Sequence, residues 1–179
     1  MATLIIEEGT GEEDANVYTS MADSDAYHDS MGHTDWVQVS PDNARIQAKI
    51  RGAAYIDRKY ATQWPGTRVN GRSQSMAWPR EDAYDQEGEL IDSESVPREV
   101  RIASMEAEYR EFLEPGSLSP DVTPAQQVIF EQVGSLAVRY SDTTGVQAQL
   151  PVLTEIDEIL ANIIGDPSSG VGVTWVNRA

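Results

Sequence analysis

The stretch PDNARIQAKIRGAAYIDRKY, residues 41–60, sets the fold class. Ser40 supplies a capping oxygen ahead of it, and Pro41 fits the first helical position. Ile46, Ile50, Ala53, Ala54 and the Ile56–Asp57 step recur at helical spacing and predict one buried stripe. Arg45, Lys49, Arg51, Arg58 and Lys59 are expected on the remaining faces. An amphipathic helix of this length buries its stripe against other helices.

Working outward, the flanks supply those partners. On the N-terminal side Ser20 caps a helix whose first turn carries Asp23 and Asp25 and which Gly32 stops. Met21, Ala22, Ala26, Tyr27 and Met31 are expected to line its inner face. Residues 3–6, TLII, read as a short strand or an extended arm. On the C-terminal side a third helix begins near Val96-Pro97. It carries Val100, Ala103, Met105, Ala107, Tyr109 and Leu113, and Pro115-Gly116 ends it. Residues 127–141 change to a period of two, which predicts two strands turning near Val133-Gly134-Ser135. A last helix over residues 151–165 has Val152, Ile156, Ile159, Leu160 and Ile163 on one face and Gly165 as its stop. The expectation is a mainly α protein: a small bundle of about four helices, one β-hairpin, and extended N- and C-terminal arms. Residues 1–165 form the domain, with the hairpin near 127–141, and residues 166–179 form a flexible C-terminal arm.

The 179 residues include no cysteine, which excludes disulfides and thiolate metal sites. No apolar run approaches a membrane span, and the first residues lack the basic and apolar regions of a signal peptide. A soluble intracellular protein is expected. The net charge of −17 hides a strong segregation. Residues 1–44 hold ten acids and no lysine or arginine. Residues 45–80 hold eight bases and one acid, Asp57, and from Glu81 onward nineteen acids face five bases.

No hydrolase, metalloprotease, nucleotide-binding or dinucleotide-binding motif occurs, so neither catalysis nor a cofactor is expected. His28 and His33 stand near Asp25, Asp29 and Asp35, residue types that can ligate a metal. The preferred reading is a solvated acidic helix face with no metal. The loop QWPGTRVNGRSQSMAWPRED, residues 63–82, has three readings. Arg68, Arg72 and Arg80 with Trp64 and Trp78 could pair with phosphates and stack on bases. The tryptophans could instead pin the loop to the domain, with arginines satisfying backbone carbonyls. Or the basic block could attract the acidic block of a neighbouring copy, head to tail.

Four blocks together resemble a bacteriophage family: DANVYTSMADSDAYH (14–28), WPGTR (64–68), SQSMAWPRED (73–82) and VPREVRIASMEAEY (96–109). The resemblance covers residues 3–164, and Gln74 with Trp78-Pro79-Arg80 and Val96-Pro97 is its most specific part. The family is labelled DnaT-like single-stranded-DNA-binding, and its members resemble head–tail adaptor (connector) proteins of tailed phages. The resemblance implies a ring, commonly of twelve copies, beneath a portal protein in the neck of a virion assembled in the host cytoplasm. Such a ring would extend the DNA channel, pass packaged DNA without sequence-specific binding, and dock a downstream tail or neck protein. Trp64, Arg68, Arg72, Trp78 and Arg80, together with Val171, Val173 and Trp175 of the tail, are then expected to dock the portal or a neighbouring subunit. The alternative is a single-stranded-DNA-binding protein of phage replication.

Overall fold

The computed structural model describes residues 2–37, 43–120, 130–133, 136–139 and 153–164. Its elements are helices α1 (Met21–Met31), α2 (Thr34–Val37), α3 (Asn43–Lys59), α4 (Arg98–Leu113) and α5 (Thr154–Leu160). Two antiparallel pairs accompany them: β1 (Thr67–Arg68) with β2 (Arg80–Glu81), and β3 (Phe130–Val133) with β4 (Leu136–Arg139). The mainly helical class holds, with the four-residue α2 added. The second pair is the predicted hairpin, with Val133 opposite Leu136. The Ser40–Pro41 helix start, Val152, Gly165 and residues 166–179 lie outside the described residues.

Helix α3 packs along α4, and small residues set their separation. A methyl group added at Gly52 would lie 2.6 Å from the Glu108 nitrogen and 2.8 Å from its Cα. Ala53 of α3 and Ala103 and Ala107 of α4 are fully buried beside this close approach. Helix α5 packs on α4 and contributes Ile156 and Leu160 to the core, and the turn after it adds Ile163 and Ile164. Lys59 ties α5 to α3 through Asp157 at 2.8 Å, and Arg110 ties it to α4 through Glu155 at 2.9 Å. The N-terminal arm joins the body through a parallel bridge, Ile6 with Val17. Buried Glu7 then organises residues 9–12. Its Oε1 accepts from the backbone nitrogens of Gly9, Thr10 and Gly11 at 2.9 Å, and its Oε2 from that of Glu12 at 2.8 Å.

Helix α1 begins and ends as its sequence predicts. Ser20 and Asp23 form a reciprocal capping box, and Gly32 adopts φ 76° at the C-cap. Its inner face does not follow the prediction. Met31 is exposed, while Ser24 and His28 are the buried residues. The reason is an ionic centre shared by three helices. Lys49, expected on an outer face of α3, is 1% exposed and donates to Glu108 Oε2 of α4 at 2.9 Å, Ser24 Oγ at 2.5 Å and Thr19 Oγ1 at 2.9 Å. His28 Nε2 lies 3.1 Å from the other Glu108 oxygen. The stripe of α3 is correspondingly rotated, leaving Ile46 and Ile50 only half-buried. Leu113, predicted to be core, is 54% exposed at the end of α4.

All three ammonium protons of Lys49 and both Glu108 oxygens have partners, so this buried pair is satisfied. Removing one member strands the other charge in the interior. Lys49→Ala is expected to lower the unfolding free energy by about 3–5 kcal/mol in urea denaturation. A loss under about 1 kcal/mol would show that Glu108 is not held by this lysine.

Candidate functional site

The tryptophan–proline loop folds as an interior knot with one open side. Gln74, 1% exposed, acts as its template: Nε2 donates to the carbonyls of Met76 and Pro79 at 3.1 and 3.0 Å, and Oε1 accepts from the Asn70 nitrogen at 3.3 Å. Trp78 is fully buried and Trp64 is 7% exposed. They meet edge to face with centroids 5.8 Å apart, and Tyr60 continues the cluster at 5.7 Å from Trp64. The Trp78–Pro79 peptide is cis. Gly66 is required where the loop crosses β2: its φ is 62°, and a Cβ there would lie 2.2 Å from the Glu81 carbonyl oxygen. Asn70 Nδ2 reaches across to the carbonyls of Thr10 and Gly11 at 2.9 and 3.0 Å, so the N-terminal loop and this one hold each other.

The three arginines divide by role. Arg80 donates to the carbonyls of Pro65, Ala77 and Gly66 at 2.5, 3.1 and 2.7 Å, which makes it the clasp of the loop. Arg68 makes one long bond of 3.4 Å to the Gln74 carbonyl. Arg72 is exposed and has no hydrogen bond or ion pair among the described residues. Together with Ala61, Trp64, Thr67, Gly71 and Ala77 they line an open pocket of about 410 Å³. Its floor is tryptophan and alanine, and its rim is guanidinium. Burial and the neighbouring Arg68 hold the Arg80 guanidinium below its usual range.

The basic block does not form a continuous cationic surface. Arg45 pairs with Asp25, Lys49 with Glu108, Arg51 with Glu111 and Lys59 with Asp157, all at 2.9 Å or less. Half of the block is thus neutralised within the chain by the flanking acidic segments. Arg58, Arg68, Arg72 and Arg80 have no carboxylate partner among the described residues.

Beneath the loop Asp57 of α3 accepts from the Tyr18 hydroxyl and, at 2.9 Å, from the Ala77 nitrogen. The Tyr18 oxygen in turn accepts from the Ala77 and Trp78 nitrogens at 3.1 and 3.3 Å. Burial raises the Asp57 carboxyl to about 6, against the pull of these hydrogen bonds and of Arg68 and Arg80. Burial and the adjacent Asp57 charge also hold the Tyr18 hydroxyl well above its usual range. Sequence reading placed Asp57 at the edge of a stripe but gave it no partner, because Tyr18 lies 39 positions away.

The histidines occupy a different place from the one expected. His28 is fully buried against Glu108, Trp36 and Tyr109, and His33 stacks on Tyr109 at 3.9 Å with the rings parallel. The two Nδ1 atoms lie 3.0 Å apart. Among the described residues no group of three or more potential ligands is arranged to hold a metal ion. No helix among them is long and apolar enough to cross a membrane. Val171, Val173 and Trp175, the remaining predicted docking residues, lie outside the described residues.

A family model described as "Putative DnaT-like ssDNA binding protein" matches residues 2–179. No curated protein and no solved structure matches the chain.

Asp57 gives this knot a pH signature. Its folded value of about 6 lies above the ordinary carboxyl value of 3.8, so the folded state holds the proton more tightly. The stabilising effect of that proton is fully present below pH 3.8 and is lost as pH rises through about 6. Asp57→Asn mimics the neutral carboxyl and removes the dependence. The stability of the natural protein relative to this variant is expected to fall by about 2–3 kcal/mol between pH 4 and pH 7. Parallel pH dependences in urea unfolding would show that Asp57 is solvated.

Proposed function

Because the chain belongs to this DnaT-like family, we propose from its geometry which of the family's two readings it serves: a non-catalytic assembly protein, a head–tail adaptor that forms a ring beneath a portal. One observation carries this reading. The aromatic pair that would have to stack on nucleic-acid bases is core, with Trp78 fully buried and Trp64 nearly so. Stacking needs an open ring face, and it supplies about 1–3 kcal/mol per base. A protein of net charge −17 without that contribution would depend on a few arginines for all its affinity. Arg80 is already engaged by three carbonyls. An acidic body with few free cations suits a channel that lets DNA pass without gripping it. The motif blocks around Gln74, Trp78-Pro79-Arg80 and Val96-Pro97 support the same reading through the adaptors they resemble.

The second reading, single-stranded-DNA binding, is favoured by the family description itself and by the open cationic pocket with Arg68 and Arg72 on its rim. In that reading the pocket holds phosphates, and affinity falls steeply with salt.

Two measurements separate them. A phage lacking the gene is expected to fill heads with DNA yet yield particles without tails, seen by electron microscopy, and to lose infectivity. Normal infectious particles would overturn the adaptor reading. Fluorescence anisotropy of a labelled oligo-dT at low salt is expected to show no binding at micromolar protein. Salt-dependent binding abolished by Arg68→Ala and Arg72→Ala would establish the second reading instead.

A further inference from the structure

Immediately after β2 the chain runs through EDAYDQEGELIDSE, residues 81–94, with seven acids and no base. None of the seven forms an ion pair with a described residue. The segment is nonetheless built rather than loose. Tyr84 and Leu90 bridge antiparallel, Asp85 N donates to the Glu89 carbonyl at 3.0 Å, and Ile91 N donates to the Ala83 carbonyl at 2.8 Å. Asp85 Oδ1 accepts from the Glu87 and Glu89 nitrogens at 2.9 Å. Buried Ala83 anchors the base. At the neck of this turn, below residues 85–89, two apolar side chains stand in solvent, Tyr84 at 48% exposure and Leu90 at 63%. They are a tyrosine and a leucine side by side on a rigid acidic knob.

The pocket described above has the complementary character. Ala61, Trp64 and Ala77 line it beside Arg68, Arg72 and Arg80, and none of these arginines has a carboxylate bound among the described residues. The knob cannot simply fold over its own pocket, because it is tethered elsewhere: Gln86 N donates to the Asn162 carbonyl at 2.8 Å beyond the end of α5. The turn is thus held against residue 162, while the exposed Tyr84/Leu90 pair and the cationic pocket both stay open.

We infer that the Tyr84/Leu90 knob of one copy docks in the Trp64/Arg68/Arg72 pocket of the next, head to tail. The inference deepens the ring reading and rests on it for closure. The occupant is a second copy of this chain because both halves lie on one chain with opposite charge, each beside apolar side chains. Glu87 and Glu89, both exposed in the turn between Tyr84 and Leu90, supply the carboxylates that Arg68 and Arg72 lack. Each copy uses one knob and one pocket, so the contact is heterologous and propagates until it closes.

Mixing variants tests this directly. The natural protein is expected to form assemblies larger than dimers in sedimentation velocity as concentration rises. Knob variant Tyr84→Ala/Leu90→Ala and pocket variant Arg68→Glu/Arg72→Glu should each weaken self-association by at least tenfold. All four substitutions are at partly or fully exposed positions, and unchanged circular dichroism and melting confirm folding. Mixed one to one, the two variants should form a dimer that grows no further, since one good knob meets one good pocket. Assembly that survives in both variants, a natural protein that stops at dimers, or one that stays monomeric at every concentration would overturn the docking. These outcomes bear on self-association, while the gene deletion tests the role in joining heads to tails separately.

Discussion

The Lys49–Glu108 pair is the contact on which the rest of the molecule depends. It joins α3 to α4 in the interior, and through Ser24, Thr19 and His28 it draws in α1 and the strand-like segment before it. A buried ion pair is stable only when every donor and acceptor is matched, and here that requirement fixes the position of three helices at once. Close packing at Gly52 can then occur in one register only, because a shift along the α3–α4 contact would separate the charges. Asp57 sits about two turns further along α3 and extends the same helix toward the tryptophan–proline loop. The loop is therefore positioned by α3 from below and by the N-terminal loop from the side.

That arrangement explains how a segment rich in Gly, Pro, Asn and Ser keeps its backbone groups paired. Beyond the short β1–β2 pair, its polar backbone groups find partners in Gln74 and Arg80, while Asn70 satisfies carbonyls of the N-terminal loop. Its tryptophans fill the space that a longer secondary element would otherwise occupy. Neither Trp64 nor Trp78 finds an acceptor for its indole nitrogen among the described residues, and both are held by apolar area and ring contacts. Such residues serve as packing, and of the two only Trp64 lines the pocket. What the loop leaves outside is its polar stretch, Arg72 included, and the open side of that pocket.

Much of the fold was legible in the sequence where a local rule governed. Ser20, Asp23 and Gly32 bracket α1 by capping chemistry, and the alternation around Val133 gives the hairpin its turn. Exposed Leu113 aside, the failures share one cause: long-range polar pairing overrides local hydrophobic pattern. Lys49 reads as an outward lysine and is buried because Glu108, 59 positions away, receives it. Ser24 and His28 displace Met31 from the inner face for the same reason. At the site, sequence gave the residue types of the loop but could not distinguish a clasp from a ligand contact. Arg68, Arg72 and Arg80 look alike in the sequence, and only the carbonyls around Arg80 separate them. Tyr84 and Leu90 could not be told apart from Ile91, the third large apolar residue of the seven-acid segment, because only the structure shows that Ile91 packs on the core and the other two do not.

The central claim is that the loop's tryptophans belong to the interior, and their own fluorescence tests it most directly. The chain has four tryptophans, and Trp36, Trp64 and Trp78 are all buried. Trp175→Phe removes the fourth and leaves only these emitters. The account predicts blue-shifted emission that acrylamide quenches weakly and that saturating oligo-dT leaves unchanged. Red-shifted, readily quenched emission that oligo-dT suppresses would contradict it, because it would place an open indole where the structure has a packed one.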